Sequence, residues 1–279
     1  MELGKFKRKI VQIITALVTN ANFKGFFEGK IYKGSLKKSC VPGLNCYSCP
    51  GAVGSCPIGS LQAVIGGFKY KMSFYIVGMM MLMGTLLGRF ICGWLCPFGL
   101  IQELLNKIPS PKIKIPKIFS YIKYVVLIIF VILLPIVFVN DLGMGDPTFC
   151  KYICPAGTLE GGIPLVLTNP PLRDSIGNLF FWKIFLLIGT IIMSIITFRP
   201  FCKAVCPLGA IYALLNPISV YRYEIDKNKC ISCGLCAKTC KLDVEVYKKP
   251  NSLECIRCGE CISICPQNAI ERKMNLRSK

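Results

Sequence analysis

Eighteen cysteines and the absence of histidine determine which chemistry this chain of 279 residues can perform. A chain without histidine has no Ser-His-Asp or Cys-His nucleophile pair, no histidine-ligated haem, no Rieske centre and no histidine-containing zinc site. Cysteine thiolates, by contrast, are the ligands of iron–sulfur clusters. We therefore expect the chemistry of this protein to run through sulfur, and no residue pattern indicates bond-making catalysis.

The C-terminal cysteines form two copies of Cys-x2-Cys-x2-Cys-x3-Cys, the spacing of bacterial two-cluster ferredoxins. Three close cysteines hold one [4Fe–4S] cluster and the fourth crosses to the other cluster, because a short loop wraps only three corners of a cubane. The predicted ligands of the first cluster are Cys230, Cys233, Cys236 and Cys265. The predicted ligands of the second cluster are Cys255, Cys258, Cys261 and Cys240. A zinc site is the alternative, but zinc prefers paired Cys-x2-Cys knuckles separated by a longer gap.

A shorter motif, Cys-Pro-x-Gly, occurs four times in the hydrophobic part of the chain. It reads CPIGSLQ at 56–62, CPFGLIQ at 96–102, CPAGTLE at 154–160 and CPLGAIY at 206–212. In the last three copies another cysteine stands four residues earlier. The repetition predicts two copies of a unit made of helix, cysteine loop, helix and cysteine loop, and such internal repeats are common in membrane transport proteins.

Two of these copies are expected on the same side of the membrane as the ferredoxin motifs, and together they predict a third [4Fe–4S] cluster. Each Cys-x3-Cys-Pro supplies two thiolates, and proline suits the first turn of the helix that follows. The predicted ligands are Cys92, Cys96, Cys202 and Cys206. The alternative is four buried structural cysteines, since free cysteine packs as a small hydrophobe. Two matched copies at equivalent repeat positions favour the cluster.

Six further cysteines are expected on the far side of the membrane. Repeat equivalence predicts a fourth cluster whose ligands are Cys49, Cys56, Cys150 and Cys154. Cys40 and Cys46 would then form a disulfide, replace one of those four, or stay free. The alternative is that all six form disulfides, because that side of the membrane can be oxidising.

Long apolar runs must position these motifs. The chain is 53% hydrophobic with a mean hydropathy of +0.54, which is too apolar for an ordinary soluble protein. Residues 72–88, 124–139 and 179–198 approach the roughly 20 residues that span a bilayer. Residues 10–23 form a weaker run that either spans or lies in the interface. We expect an all-α membrane domain of about four transmembrane helices, in two repeated helix hairpins, over residues 1–220. A small α+β ferredoxin domain follows over 221–279.

The basic residues indicate the orientation. The chain has a formal net charge of +20. If the first run spans, 24 of the 34 Lys and Arg residues lie on the side of the ferredoxin domain, which the positive-inside rule assigns to the cytoplasm. We expect a multi-pass protein of the cell membrane with both termini and the ferredoxin domain in the cytoplasm. The excess positive charge suits anionic lipid and an acidic carrier such as a ferredoxin or flavodoxin.

The paired motifs RFICGWLCPFGLIQ and RPFCKAVCPLGAIY, followed by a two-cluster ferredoxin domain, resemble the NapH/NosR-type membrane polyferredoxins. The resemblance covers residues 72–270. It implies a module of four to six membrane helices with cytoplasmic clusters, which passes electrons to or from partners or the quinone pool. The chain departs from the simpler members in its cysteines at 40–56 and 150–154, and this departure points to electrons that cross the membrane.

The sequence thus predicts a membrane-bound electron-transfer protein rather than a stand-alone catalyst. It would pass electrons between a cytoplasmic ferredoxin- or flavodoxin-like carrier and an acceptor that is either an extracytoplasmic redox protein or a quinone. The alternatives are a redox-sensing or maturation factor for another metalloenzyme, and a membrane anchor subunit of an oxidoreductase. No motif supports nucleic-acid binding.

Overall fold

The computed structural model describes residues 2–67, 74–140 and 144–274. The chain is mostly helical, with one small sheet near its C-terminus. The α-helices are Glu2–Thr19 (α1), Lys24–Glu28 (α2), Pro57–Gly66 (α3), Tyr75–Leu87 (α4), Phe90–Trp94 (α5), Pro97–Leu105 (α6), Ile122–Val126 (α7), Leu134–Val137 (α8), Thr148–Tyr152 (α9), Ile163–Thr168 (α10), Pro170–Asp174 (α11), Asn178–Ile196 (α12), Pro200–Ala204 (α13), Pro207–Leu215 (α14), Leu235–Thr239 (α15) and Glu260–Ile264 (α16). The 3₁₀ segments are Ser35–Lys38, Lys117–Tyr121 and Asn216–Ile218, the π-helical segments are Leu127–Leu133 and Gly157–Gly162, and the strands are Tyr221–Ile225 (β1) and Ile270–Met274 (β2).

Two of the described helices are long and apolar enough to cross a bilayer. One runs over Lys117–Val137, from a 3₁₀ turn through α7 and a π-helical stretch to α8, and the other is α12. They have 21 and 19 residues, which at about 1.5 Å per residue matches a hydrocarbon core of about 30 Å. Their outward side chains are large and apolar, as the 65% exposure of Phe185 illustrates. Lipid provides the apolar surroundings that such a surface needs.

The other two predicted spans have different bounds in the structure. Of the run 72–88, residues 72 and 73 lie outside the described part of the chain, and α4 has 13 residues. The run 10–23 overlaps α1, which begins eight residues earlier, at Glu2, and ends at Thr19. At this end both the backbone N–H and the side-chain amide of Asn20 donate to the carbonyl of Ala16, at 3.2 Å and 3.0 Å, and asparagine side chains that bond to nearby carbonyls are disfavoured in helix interiors. Four spanning helices therefore remain a prediction.

All four Cys-Pro-x-Gly motifs begin a helix. The cysteine occupies the N-cap of α3, α6 and α14, and the proline is the first helical residue. Proline is suited to this position because its φ is fixed near the helical value and the N–H that it lacks would have no helical partner. In the third motif, at 154–160, the helix starts at Pro155 and continues through the π-helical segment into α10. The one-turn helices α5, α9 and α13 come directly before three of the motifs and carry the preceding cysteine.

The C-terminal region is closed by two antiparallel strands. Strand β1 pairs with β2 over five residues, with Tyr223 opposite Arg272. Between them, α15 and α16 each lie inside one ferredoxin motif. Each helix follows a glycine in the left-handed region, Gly234 with φ 73° and Gly259 with φ 86°, where side chains are strained. Strand β1 starts at Tyr221, next to the boundary that the sequence predicts between the two domains.

The ferredoxin region packs directly on the helical region through Arg257. This fully buried residue donates to the carbonyl of Leu87 at 2.8 Å, to the carbonyl of Asn216 at 2.8 Å and to the hydroxyl of Ser219 at 2.6 Å. The indole of Trp94 donates in turn to the carbonyl of Arg257 at 3.0 Å. These bonds hold the second ferredoxin motif against the ends of α4 and α5.

Candidate metal centres

The eight ferredoxin cysteines surround two separate cavities. One cavity is lined by Cys230, Cys233, Cys236 and Cys265. The other is lined by Cys240, Cys255, Cys258 and Cys261. Each set takes three cysteines from one motif and the fourth from the other motif, which is the crossed arrangement expected from the spacing.

The cysteines of the second and fourth Cys-Pro-x-Gly motifs also meet. They are buried, and the charges of Cys92, Cys96 and Cys202 act on the pKa of other members of the set. Burial raises the pKa of Cys206 well above its ordinary value, and the charges of Cys202, Cys92 and Cys96 raise it further. We call Cys92, Cys96, Cys202 and Cys206 the near quartet, because it adjoins the ferredoxin region.

Two buried arginines cross over at the near quartet. Arg89 stands three residues before Cys92 and donates to the carbonyl of Cys202 at 3.2 Å. Arg199 stands three residues before Cys202 and donates to the carbonyl of Cys92. Sequence reasoning did not single out these arginines, although the equivalent Arg-Phe and Arg-Pro pairs that open the two repeats signal them.

Each of these arginines has a carboxylate partner. Arg89 pairs with Glu254 at 2.6 Å, and Arg199 pairs with Glu103 at 2.8 Å. Glu103 also pairs with Arg8 of α1 at 2.7 Å, with both side chains at most 4% exposed. Burial alone would raise the pKa of Glu103, but Arg199 and Arg8 outweigh it and hold that pKa below its usual range. A network of buried charges thus fastens α1, α6 and the near quartet together.

Among the cysteines expected on the far side, Cys46 lies close to three of the four predicted ligands. The charges of Cys150, Cys46 and Cys56 all raise the pKa of Cys154, after burial itself. An ideal Cβ on Gly157 would lie 3.8 Å from the sulfur of Cys46 and 4.0 Å from that of Cys154. We call Cys46, Cys56, Cys150 and Cys154 the far quartet.

Cys49, which repeat equivalence predicts in this set, makes a contact of its own. Its thiol donates to the side-chain carbonyl of Asn20 at 3.6 Å, and Lys37 lies near it. Cys40 donates to the hydroxyl of Ser60 at 3.5 Å. The difference has a physical reason: residues 39–56 contain no helix, so the hydrogen bonds of the loop decide which thiol faces Cys154. None of the eighteen cysteines is in a disulfide, and all of them lie in the described part of the chain.

Two consecutive backbone amides of this loop contact the two quartets. Burial raises the pKa of Cys96 and that of Cys56 to about 12. The backbone N–H of Leu44 lies against the Cys96 thiol and opposes this shift. The N–H of the next residue, Asn45, does the same at Cys56. Consecutive amides of one chain segment therefore point at sulfurs of the near and the far quartet.

The four sets fit a multi-iron cluster better than a single ion. In residues 2–67, 74–140 and 144–274, no three Cys, Asp or Glu side chains converge closely enough to hold one metal ion. A tetrahedral ion with sulfur at about 2.3 Å would bring its thiolates within about 4 Å of one another. A cubane holds four thiolates further apart, around a body of iron and sulfide. Bound iron would also supply the positive charge that deprotonates these buried thiols.

An apolar groove lies beside the near quartet, on the surface expected to face lipid. It has a volume of about 550 Å³ and is bordered by α12, by α13 and by the segment before Phe119. Phe185, Met193 and Phe201 line it, and Phe201 directly precedes Cys202. A ligand in this groove would contact the residue that directly precedes Cys202.

Comparison with known proteins agrees with these centres. One 4Fe-4S binding domain matches residues 72–116, 123–163 and 179–222, and a second 4Fe-4S binding domain matches residues 223–244 and 249–271. The three segments of the first domain contain the near quartet together with Cys150 and Cys154. The two segments of the second contain all eight ferredoxin cysteines. The chain therefore carries [4Fe–4S] clusters.

Three curated proteins illustrate the similarity. An uncharacterised protein of Methanocaldococcus jannaschii is 28% identical over 66% of this chain and 63% of its own length. The regulatory protein NosR of Pseudomonas aeruginosa is 23% identical over 67% of this chain and 26% of NosR. The protein YccM of Escherichia coli, named as a putative electron transport protein, is 23% identical over 65% of this chain and 50% of YccM. No solved structure matches the chain significantly.

Proposed function

The chain belongs to the NosR/NapH-type polyferredoxins, a group of iron–sulfur electron transport proteins, and we propose that it conducts electrons across a membrane. The donor would be a small acidic carrier in the cytoplasm, and the acceptor would lie on the opposite face. [4Fe–4S] clusters supply the electron transfer. The protein contributes the thiolates, the spacing between the centres and their electrostatic surroundings.

We assign four clusters to the four sets of cysteines. The two ferredoxin sets and the near quartet are the sets that the spacing predicts. For the far quartet we assign Cys46 in place of Cys49, because Cys46 lies beside Cys154 whereas Cys49 is bonded to Asn20. Cys40 and Cys49 are left outside the ligand sets.

The observation that carries the proposal is the contact of Leu44 and Asn45 with the two quartets. Their backbone N–H groups lie against Cys96 and Cys56 respectively. The packing of the loop indicates the same proximity: a Cβ on Gly43 would lie 2.9 Å from the Cα of Cys96, and Cys46, three residues further along the chain, lies beside Gly157 and Cys154. Three residues of extended chain span at most about 11 Å. Tunnelling falls off steeply with distance, and a separation on this scale supports electron transfer between the quartets.

The second ferredoxin set also packs against the near quartet. Gly93, next to Cys92, packs against the carbonyl of Ile256, next to Cys255, so closely that a Cβ on Gly93 would clash with it. The order of the centres supported by these contacts is the Cys230 set, the Cys255 set, the near quartet and the far quartet.

Helix α12 relates this order to the membrane. Near its start, the Lys183 ammonium donates to the carbonyl of Cys150 at 3.2 Å, in the far quartet. Its end lies only a few residues before Cys202 of the near quartet. Lys183 and Ile196 are separated by about 20 Å along a helix with a rise of 1.5 Å per residue. The two quartets thus lie toward opposite ends of a helix long enough to span the bilayer.

The test uses the full chain in sealed vesicles with the ferredoxin region outward. A membrane-impermeant low-potential donor is added outside, and the reduction of an oxidant enclosed in the lumen is followed. Wild-type protein is expected to reduce the enclosed oxidant. Cys92→Ser is expected to abolish this reduction while low-temperature spectra of the ferredoxin clusters persist, because serine is a harder and less readily ionised ligand. The matched control is Cys49→Ser, which should transfer at the wild-type rate. If wild-type vesicles never reduce the lumenal oxidant, the proposal is wrong.

The apolar groove favours a second candidate acceptor, a membrane quinone. Pockets of 300–1,000 Å³ accommodate organic cofactors, and this groove of about 550 Å³ opens toward lipid beside Phe201. Gly189→Trp tests this candidate by blocking the groove, because Gly189 lines it and has no neighbour within 4 Å of its missing Cβ. Loss of quinone reduction with unchanged reduction of the lumenal oxidant would place the exit in the groove. If Gly189→Trp reduces quinone at the wild-type rate, the groove is excluded as the site of quinone reduction.

A further inference from the structure

The residue six positions after the cysteine of each Cys-Pro-x-Gly motif makes a polar contact outside its own motif. The four equivalent residues are Gln62, Gln102, Glu160 and Tyr212. Each makes its polar contact with a different motif or with the loop between the quartets. The two glutamines donate to cysteine sulfurs, whereas Glu160 and Tyr212 bond to the backbone of the loop.

Gln62 is completely buried and its amide is held at both ends. Its NH₂ group donates to the sulfur of Cys150 at 3.2 Å. Its carbonyl accepts the backbone N–H of Phe149 at 2.9 Å. Because an amide oxygen cannot replace the nitrogen as a donor, the second bond fixes the NH₂ group toward the sulfur.

Gln102 makes the equivalent contact in the other pair of motifs. It is 1% exposed, and its NH₂ group donates to the sulfur of Cys202 at 3.1 Å. Its position on α6 corresponds to that of Gln62 on α3, and Cys202 corresponds to Cys150. The same amide–sulfur contact therefore occurs once at the near quartet and once at the far quartet.

The other two equivalent residues hold the loop instead of a sulfur. Glu160 accepts the backbone N–H of Cys46 at 2.6 Å, and the hydroxyl of Tyr212 donates to the carbonyl of Pro42 at 3.0 Å. These bonds lie on either side of Leu44 and Asn45. Each quartet thus has one glutamine that donates to a cysteine sulfur. Its second equivalent residue, Glu160 or Tyr212, holds the loop between the quartets.

We propose that Gln62 and Gln102 are positioning residues that set the reduction potentials of the far and the near cluster independently, each through one N–H···S hydrogen bond. The inference rests on the ligand sets of the proposed function. A reduced cluster carries one more negative charge than an oxidised one, so a donor aimed at a ligand sulfur stabilises the reduced form. Removing the donor lowers the potential of that cluster.

The experiment is a redox titration of purified full-length protein, read by low-temperature electron paramagnetic resonance with iron and sulfide determined on the same samples. Gln102→Met keeps the length of the side chain and removes the donor. It is expected to lower the midpoint potential of the near cluster and leave that of the far cluster in place. Gln62→Met is expected to do the reverse.

Gln12 provides a matched control. It is equally buried, and its amide donates to the carbonyl of Gly93 at 2.9 Å, beside the near quartet but not to sulfur. Gln12→Met should leave both potentials unchanged. Equal shifts from Gln12→Met and Gln102→Met would overturn the inference, because general loss of buried polarity would then explain both.

A second substitution at each glutamine distinguishes a change in reduction potential from impaired folding. At a pH at which the new carboxyl group is ionised, Gln102→Glu and Gln62→Glu keep size and polarity but replace the donor by an acceptor, so each should then lower the potential of its own cluster further than methionine does. Unchanged potentials in all four variants would contradict the inference. So would loss of iron in both the methionine and the glutamate variants, since the glutamines would then be purely structural. The vesicle assay is independent: failure of transmembrane transfer with these shifts intact would refute the proposed function and leave this inference standing.

Discussion

Arg89 donates a hydrogen bond to the carbonyl of Cys202, and Arg199, at the equivalent position of the other repeat, donates to the carbonyl of Cys92. Each repeat therefore positions the first cysteine of its counterpart. The near quartet cannot form from one repeat alone, and its geometry depends on buried charges that must themselves be balanced.

We expect Glu103→Gln to destabilise the protein strongly. The substitution leaves Arg8 and Arg199 buried without their shared carboxylate, and breaking a buried ion pair in this way costs about 3–5 kcal/mol. The free energy of unfolding in detergent measures the loss. The control is Glu245→Gln, at an exposed pair with Lys248, which should change stability little. Equal stability of the two variants would show that the network contributes nothing.

The same network predicts a pH dependence. The pKa of Glu103 is held below its usual range in the folded protein, so its contribution is complete above the unfolded value of about 4.3 and is lost as pH falls through the folded value. The stability difference between wild type and Glu103→Gln should therefore be constant near neutrality and shrink below about pH 4. A difference that grows on acidification would contradict the ion pairs.

The far quartet predicts opposite outcomes for two neighbouring cysteines. Cys46→Ser should remove about four of about 16 iron atoms per chain, the content of four cubanes, because Cys46 lies beside Cys154. Cys49→Ser should keep the full content. Iron and acid-labile sulfide of anaerobically purified protein measure both. The reverse pattern would restore the set predicted from the spacing.

Close packing at Gly93 predicts a specific defect in Gly93→Ala. Its new methyl group would clash with the carbonyl of Ile256 and push the ferredoxin region away from the near quartet. We expect slower reduction of the near cluster in stopped-flow mixing with a low-potential donor, at normal iron content. Gly189→Ala is the control, since nothing lies within 4 Å of a Cβ there and alanine favours a helix. Equal rates of near-cluster reduction in the two variants would show that packing at Gly93 does not affect electron transfer to the near quartet.

The spacing of the cysteines was informative wherever a short motif dictates the local path of the chain. In the ferredoxin region, Cys240 and Cys265 could be assigned across motifs because one motif has room for only three ligands. The near quartet followed from two copies of Cys-x3-Cys-Pro, in which proline starts a helix and thereby orients the preceding cysteine.

The choice between Cys46 and Cys49 could not be made in this way. Both lie in a loop whose path depends on distant partners, such as Asn20 for Cys49 and Glu160 for Cys46. The partners Gln62 and Gln102 were equally hidden, because a buried glutamine has no sequence signature of its own. Their equivalence is visible only when the four motifs are aligned with one another.

With the proposed clusters bound, the short separation of the two quartets on either side of Leu44 and Asn45 would also limit how many electrons they hold at once. Two added charges on the order of 10 Å apart repel by roughly 1.5 kcal/mol at an effective dielectric constant of about 20. An electron at either quartet therefore makes the other about tenfold harder to reduce. The two centres should titrate anticooperatively, and the membrane region would fill and empty by single electrons.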